Sequence, residues 1–176
     1  MAFSLPSIVL LPALAWVVVS DLLYRRISNR LILALLLTWA VYAGWVLMQG
    51  NAALRVSLLT GVLASAGVLL AGYWLFAMRW MGAGDAKLMA VLCLWLGEQT
   101  FVFLIVTALA GGVLALGLPL LRMLERTLAL GLVRLNTWLS NLVIPTPHAL
   151  REEPVQGIPY GLAIACGAVF VLWSHS

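Results

Sequence analysis

The chain has 176 residues, of which 64% are hydrophobic and 9% charged, with a formal net charge of +4. A soluble domain carries about 25% charged residues, and no soluble fold of this size hides so much apolar surface, so a water-soluble protein is excluded. The positive charge is spread over short joints and forms no basic face, which argues against a nucleic-acid partner. The partner that the composition implies is the lipid bilayer. Eight tryptophans suit anchoring at its two interfaces.

The apolar runs are continuous and do not alternate, so they read as helices, the open-chain structure that satisfies its own backbone in lipid. A helix needs about 20 apolar residues to cross the hydrocarbon core. The expected fold is all-α and polytopic, one domain over residues 1–176, with six spans at roughly 4–21, 31–48, 56–78, 86–97, 100–121 and 158–173. The first, "SLPSIVLLPALAWVVVS", resembles the apolar part of a signal peptide and carries an A-x-A-like site at Ala13–Ala15. It lacks a positive leading region, runs on to Ser20 and ends in arginines, so a retained span is expected. "RRISNR" joins the first two spans, and Ser28 or Asn29 can cap the second. "QGN" is the next turn. The fourth run is too short to span alone. It either extends back through Lys87 and Asp85 or lies inside the bundle. "GEQT" joins it to the fifth. The last joint repeats leucines at helical spacing among Arg122, Glu125, Arg126 and Arg134, which predicts an amphipathic helix in the interface over residues 122–144, or else a partial span. Cys93 and Cys166 lie in apolar runs without metal-ligand spacing, and buried, inert thiols are expected.

Arg25, Arg26, Arg30, Arg79, Lys87, Arg122, Arg126, Arg134 and Arg151 fall in odd-numbered joints or at their edges, and Arg55 alone falls in an even one. Positive residues mark the cytoplasmic side, so the odd joints are expected inside and both chain ends outside.

The chain has two aspartates, Asp21 and Asp85. On this topology both lie at the cytoplasmic edge, one closing the first span and one opening the fourth. Ionisable groups at membrane depth are costly and usually functional. Each has a plain structural explanation: Asp85 in "MGAGDAKLM" as a helix cap, Asp21 as a partner of Arg25 one turn on. Two on one side, in a chain with no other, point to a shared site. Two carboxylates that share a site do not both ionise easily: one holds a proton while the other accepts one from water. The charged member activates water, and the neutral member stabilises the oxyanion and then protonates the leaving amine. That chemistry needs no metal and no cofactor. Asp85, at a helix N-terminus near Lys87, is the expected charged member, and Asp21, at a helix C-terminal end, the expected proton holder. Gly82 and Gly84 permit a tight turn, a positive φ, or close approach of an extended peptide. Gly84 is expected to be the less tolerant of the two.

"DLLYRRISNRL", "GAGDAKL" and "GIPYGLAIACG" together resemble the type IV prepilin peptidases, membrane aspartic proteases of the GxGD type, and the short form of Flp-type (tight-adherence) pilus systems in particular. The resemblance covers nearly the whole chain in the right order. It implies that Asp21 and Asp85 form a catalytic pair and that prepilin leader peptides are cut on the cytoplasmic side of a bacterial inner membrane. Read from the residues alone, Gly82, Gly84 and Lys87 are the candidates for substrate access and positioning; Arg25 and Arg26 are candidate substrate contacts with Lys87, and positive-inside sorting explains these three cations equally well. Read from the residues, Pro159 is a helix-start proline and Gly161 a packing glycine; the family's "PYG" matches Pro159–Gly161, and this match implies a helix start beside the aspartate pair. Many relatives have proline where Ser28 stands. The insert with paired cysteines of the methylating members is missing between the first two spans, so methyltransferase activity is not expected. His148 reads as a loop histidine. The competing classes are an ion-coupled transporter, which would pair broken helices across the membrane, and a non-catalytic pilus-assembly subunit.

Overall fold

The computed structural model describes residues 5–119, 123–124, 127–131, 134 and 160–174. Among them every regular element is a helix: α1 (Leu5–Tyr24), α2 (Asn29–Gln49), α3 (Ala52–Ala77), α4 (Ala83–Leu96), a 3₁₀ turn (Gly97–Gln99), α5 (Thr100–Leu116) and α6 (Tyr160–Ser174). Four helical runs are long and apolar enough to cross a membrane: residues 6–24, 29–49, 52–77 and the interrupted run 83–116. Most of the expected interfacial helix, with His148 and Pro159, lies outside the described residues.

The turns follow local chemistry. Ser28 occupies the N-cap position of α2, but its hydroxyl makes no capping bond. Gly50 ends α2 in the left-handed conformation. Asn51 then caps α3, its side chain accepting from the backbone N–H groups of Ala53 and Leu54. Gly97, at φ 55°, breaks the fourth run. A Cβ there would stand 2.9 Å from the Ser57 carbonyl of α3, so both conformation and space require glycine.

That break leaves α4 with 14 residues, about 21 Å of helix, shorter than the ~30 Å hydrocarbon core. The sequence left two alternatives for this segment, and the fold adopts both. The helix extends back past Lys87 and Asp85 to Ala83, and it is buried in the bundle over most of its length.

α4 is wrapped by its neighbours. α3 packs chiefly on α4, α5 on α6, and α1 on α6. Small residues let these helices approach closely. A Cβ on Gly72 of α3 would come within 2.7 Å of the Ala86 methyl on α4, and one on Gly167 of α6 would come within 3.0 Å of the Phe103 carbonyl on α5. Two tryptophans fasten α2 to α4 reciprocally. Trp39 Nε1 donates to the Leu94 carbonyl (2.8 Å), and Trp95 Nε1 donates to the Leu35 carbonyl (3.2 Å). The Leu94 carbonyl lies in the last turn of α4, where helix geometry leaves carbonyls without intrahelical partners. These two indoles are therefore interhelical pegs rather than interface anchors. Cys93 is buried as expected, but Cys166 is exposed. α6 packs on α1 and α5, and Cys166 borders an open cavity that it shares with Val18 of α1.

The core explains how the aspartates enter the bundle. Leu10, Leu14 and Val17 of α1 are fully or almost fully buried, and their spacing of four and three residues defines one helical stripe. Asp21 is the next position on that stripe and is 6% exposed. On α4 the buried pair Leu88 and Leu92 continues backward to Asp85 by the same spacing.

Among the described residues two non-glycine residues have positive φ, Arg25 (51°) and Arg79 (62°). Each follows the end of a helix, α1 and α3 respectively, where glycine is the usual residue. The Arg25 N–H donates to the Asp21 carbonyl at 3.0 Å, and the Arg79 N–H to the Phe76 carbonyl at 2.9 Å. Left-handed backbone costs an L-residue about 1–2 kcal/mol relative to glycine.

Candidate active site

Asp21 and Asp85 line one cavity of about 670 Å³, together with Tyr24, Arg25, Ile27 and Tyr160. The two carboxylates come from the last turn of α1 and the first turn of α4, and they are near enough for their charges to interact.

α6 holds Asp21. The Gly161 N–H donates to Asp21 Oδ2 at 2.8 Å. Gly161 is the second residue of α6, so this donor is one of the N–H groups that a helix start leaves without an intrahelical acceptor. A Cβ on Gly161 would stand 2.7 Å from Oδ2, 2.9 Å from Cγ and 3.0 Å from Cβ of Asp21. Glycine is therefore required for the α6 backbone to reach the carboxylate. The sequence offered Gly161 as a packing glycine; in the structure it is both packed and bonded to Asp21.

Asp85 is the third residue of α4, and Gly82 is the N-cap, so the aspartate does not cap its helix in the manner expected from "GDAKLM". Its carboxylate folds back over the Gly82 backbone instead, as the acid of a capping box does. Gly82 has φ −72°, and neither it nor Gly84 adopts positive φ. What the glycines supply is space. A Cβ on Gly82 would lie 2.9 Å from Asp85 Oδ2, and one on Gly84 would lie 3.3 Å from Ile27 Cβ. Gly84 thus lets the start of α4 press against the α1–α2 joint, which brings Asp85 beside Asp21.

On this geometry Gly82, rather than Gly84, is expected to be the less tolerant of alanine. Gly82→Ala should displace the Asp85 carboxylate directly and lower peptidase activity by about 10-fold or more, because catalytic groups tolerate little misplacement. Gly84→Ala requires a shift of a few tenths of an ångström at Ile27 and should cost less. Gly84→Val should separate the helices and lose activity as Gly82→Ala does. Activity per inserted molecule, measured across the three variants, checks the order.

Both carboxylates now face a helix N-terminus, Asp21 that of α6 and Asp85 that of α4. The surroundings of Asp21 thus include a helix N-terminus as well as the helix C-terminal end expected from sequence. Lys87 is exposed on α4 and lies outside the lining of the cavities that Asp85 borders. Tyr160 was carried in the sequence only as part of "PYG". It lines this cavity and a second one of about 630 Å³, which also includes Gly82, Asp85, Arg79 and Trp80. No local signal singles out Tyr160, because α6 follows α5 by more than forty residues.

The fold thus brings together a buried carboxylate fixed by a backbone donor, a second carboxylate at a helix start, and a cavity that opens onto both. No curated protein and no solved structure matches the chain. The family model described as the type IV leader peptidase family matches residues 8–116, a segment that contains both aspartates and both glycines. With most of its length covered by that match, the chain belongs to the type IV leader peptidase family and is a peptidase with helices long and apolar enough to cross a membrane.

Proposed function

We propose that this protein is an aspartic endopeptidase that removes the leader peptides of type IV prepilins, of the Flp-like kind, at the cytoplasmic face of a bacterial inner membrane. The observation that carries this reading is the pairing of Asp21 and Asp85 in one cavity. Two carboxylates in one site share a proton more readily than they ionise together. The ionised member takes a proton from a water molecule as that water attacks the scissile carbonyl. The protonated member donates to the developing oxyanion and then to the departing amine. Gly161 keeps the Asp21 carboxylate oriented through its N–H. Because the pair titrates as a unit, neither aspartate is assigned the proton.

The site lies at the ends of helices, where a peptide and water both have access. In this reading all six helices are membrane segments, the 122–144 region is an interfacial helix, the whole chain is one domain, and methyltransferase activity is absent. Co-expression with a Flp-type prepilin tests the function: leader removal should appear as a faster-migrating pilin band. A prepilin left intact by well-inserted protein would contradict it.

Topology supplies an independent check. A reporter active in the cytoplasm should be active when inserted near His148 and silent after Ser176. The warrant is the cationic bias of the odd joints. The reverse pattern at either position would put the aspartates on the wrong face for a cytoplasmic leader.

A further inference from the structure

Two cavities meet at Asp85. The larger contains Asp21 and Arg25, the other contains Arg79 and Trp80, and Gly82, Asp85 and Tyr160 line both. Each therefore carries one of the two left-handed arginines, at φ 51° and 62°. Glycine would occupy either backbone position without strain. An arginine held there at a conformational cost calls for a use of its side chain, and strain of this kind gathers at functional sites. Guanidinium groups donate several hydrogen bonds in a fixed plane to carboxylate and carbonyl oxygens.

We propose that the two cavities are halves of one groove that takes a single extended peptide across Asp85, and that Arg25 and Arg79 hold this peptide from opposite sides of the cut through its carbonyl and carboxylate oxygens. Tyr160 and Gly82 form the waist of the groove, where the scissile bond lies. The proposal rests on the peptidase reading above and adds the path of the substrate through the site. It assigns Arg25 and Arg79 to binding, not to proton transfer.

The test uses purified full-length protein and a synthetic prepilin-type peptide comprising a leader and the first turns of the apolar helix. Arg25→Gly and Arg79→Gly should melt at or above the wild-type temperature, because glycine relieves the left-handed strain. Each should raise KM about tenfold or more while kcat stays within about twofold, the pattern of lost uniform binding. Arg25→Lys and Arg79→Lys should recover part of the loss. Wild-type KM in either glycine variant would overturn the shared groove. So would unfolding of either variant, since the arginine would then be holding a turn. Binding of the same labelled peptide separates this proposal from the peptidase reading. Wild-type protein that binds the peptide and never cuts it sinks the peptidase reading and leaves the groove standing. Wild-type protein that cuts it, beside glycine variants that bind it equally well, sinks the groove alone.

Discussion

Asp21→Asn and Asp85→Asn should each leave the protein inserted in the membrane and abolish leader cleavage. Asparagine keeps the size of the side chain and much of its hydrogen bonding, so packing along the stripes of α1 and α4 survives. In Asp21→Asn the side-chain amide still offers an oxygen to accept from the Gly161 N–H. What is lost is the ability to exchange a proton with water or with the leaving amine. General acid–base catalysis contributes about 10²–10⁴-fold per group. Two groups that act as one pair are not additive, so the double variant should be no slower than either single one. Pilin band shifts, normalised to membrane-inserted protein, measure all three. A single variant with substantial activity, or a double variant far below both singles, would show that the carboxylates act separately.

Gly161→Ala should lower cleavage by about 10²-fold, although it adds one methyl group and touches no ionisable atom. The new Cβ would stand 2.7–3.0 Å from Oδ2, Cγ and Cβ of Asp21. Oδ2 alone can swing aside; Cβ is tied to the α1 backbone and cannot. Either Asp21 leaves its rotamer or α6 moves away, and in both cases the bond from the Gly161 N–H is lost. A misplacement near 1 Å is enough for a loss of that size. Gly167→Ala is the matching control. It lies on the same helix, and its Cβ would press on Phe103 and Thr107 of α5 rather than on the site. Overpacking there should cost about 1–3 kcal/mol of stability, while kcat of the folded fraction is preserved. Thermal melting and kcat measured on both variants separate a positional effect from a packing effect. Equal kcat losses would remove Gly161 from the site.

Much of this site was legible from the sequence because charge is so scarce in it. Two aspartates at matching ends of apolar runs point to each other once the arginines fix the sides. The stripe Leu10–Leu14–Val17–Asp21 is also local, since three- and four-residue spacing alone puts Asp21 on the buried face. The bounds of α2 follow from turn residues and hydropathy to within two residues, whereas α5 ends at Leu116, five residues before its expected end. What the sequence could not show are contacts made by distant backbone. The Gly161 N–H reaches Asp21 across 140 residues. The Trp39 and Trp95 bonds span 55 and 60 residues and turn expected interface anchors into pegs between α2 and α4. The conformations of Arg25 and Arg79 were hidden for another reason: propensity places glycine or asparagine in left-handed backbone, so nothing in "YRRISN" or "AMRWMG" announces an arginine there. Lys87 is two residues from Asp85, a spacing that on a helix turns the two side chains apart, and it lies outside the lining of both cavities.

The central claim is that two carboxylates alone supply the chemistry. Purified protein, a synthetic prepilin peptide and an excess of a metal chelator test it in one tube, with the products identified by mass. Wild-type protein should release the leader in chelator at its ordinary rate, and Asp21→Asn and Asp85→Asn protein should release none. Loss of wild-type cleavage in the chelator, or leader release by either variant, would contradict the claim.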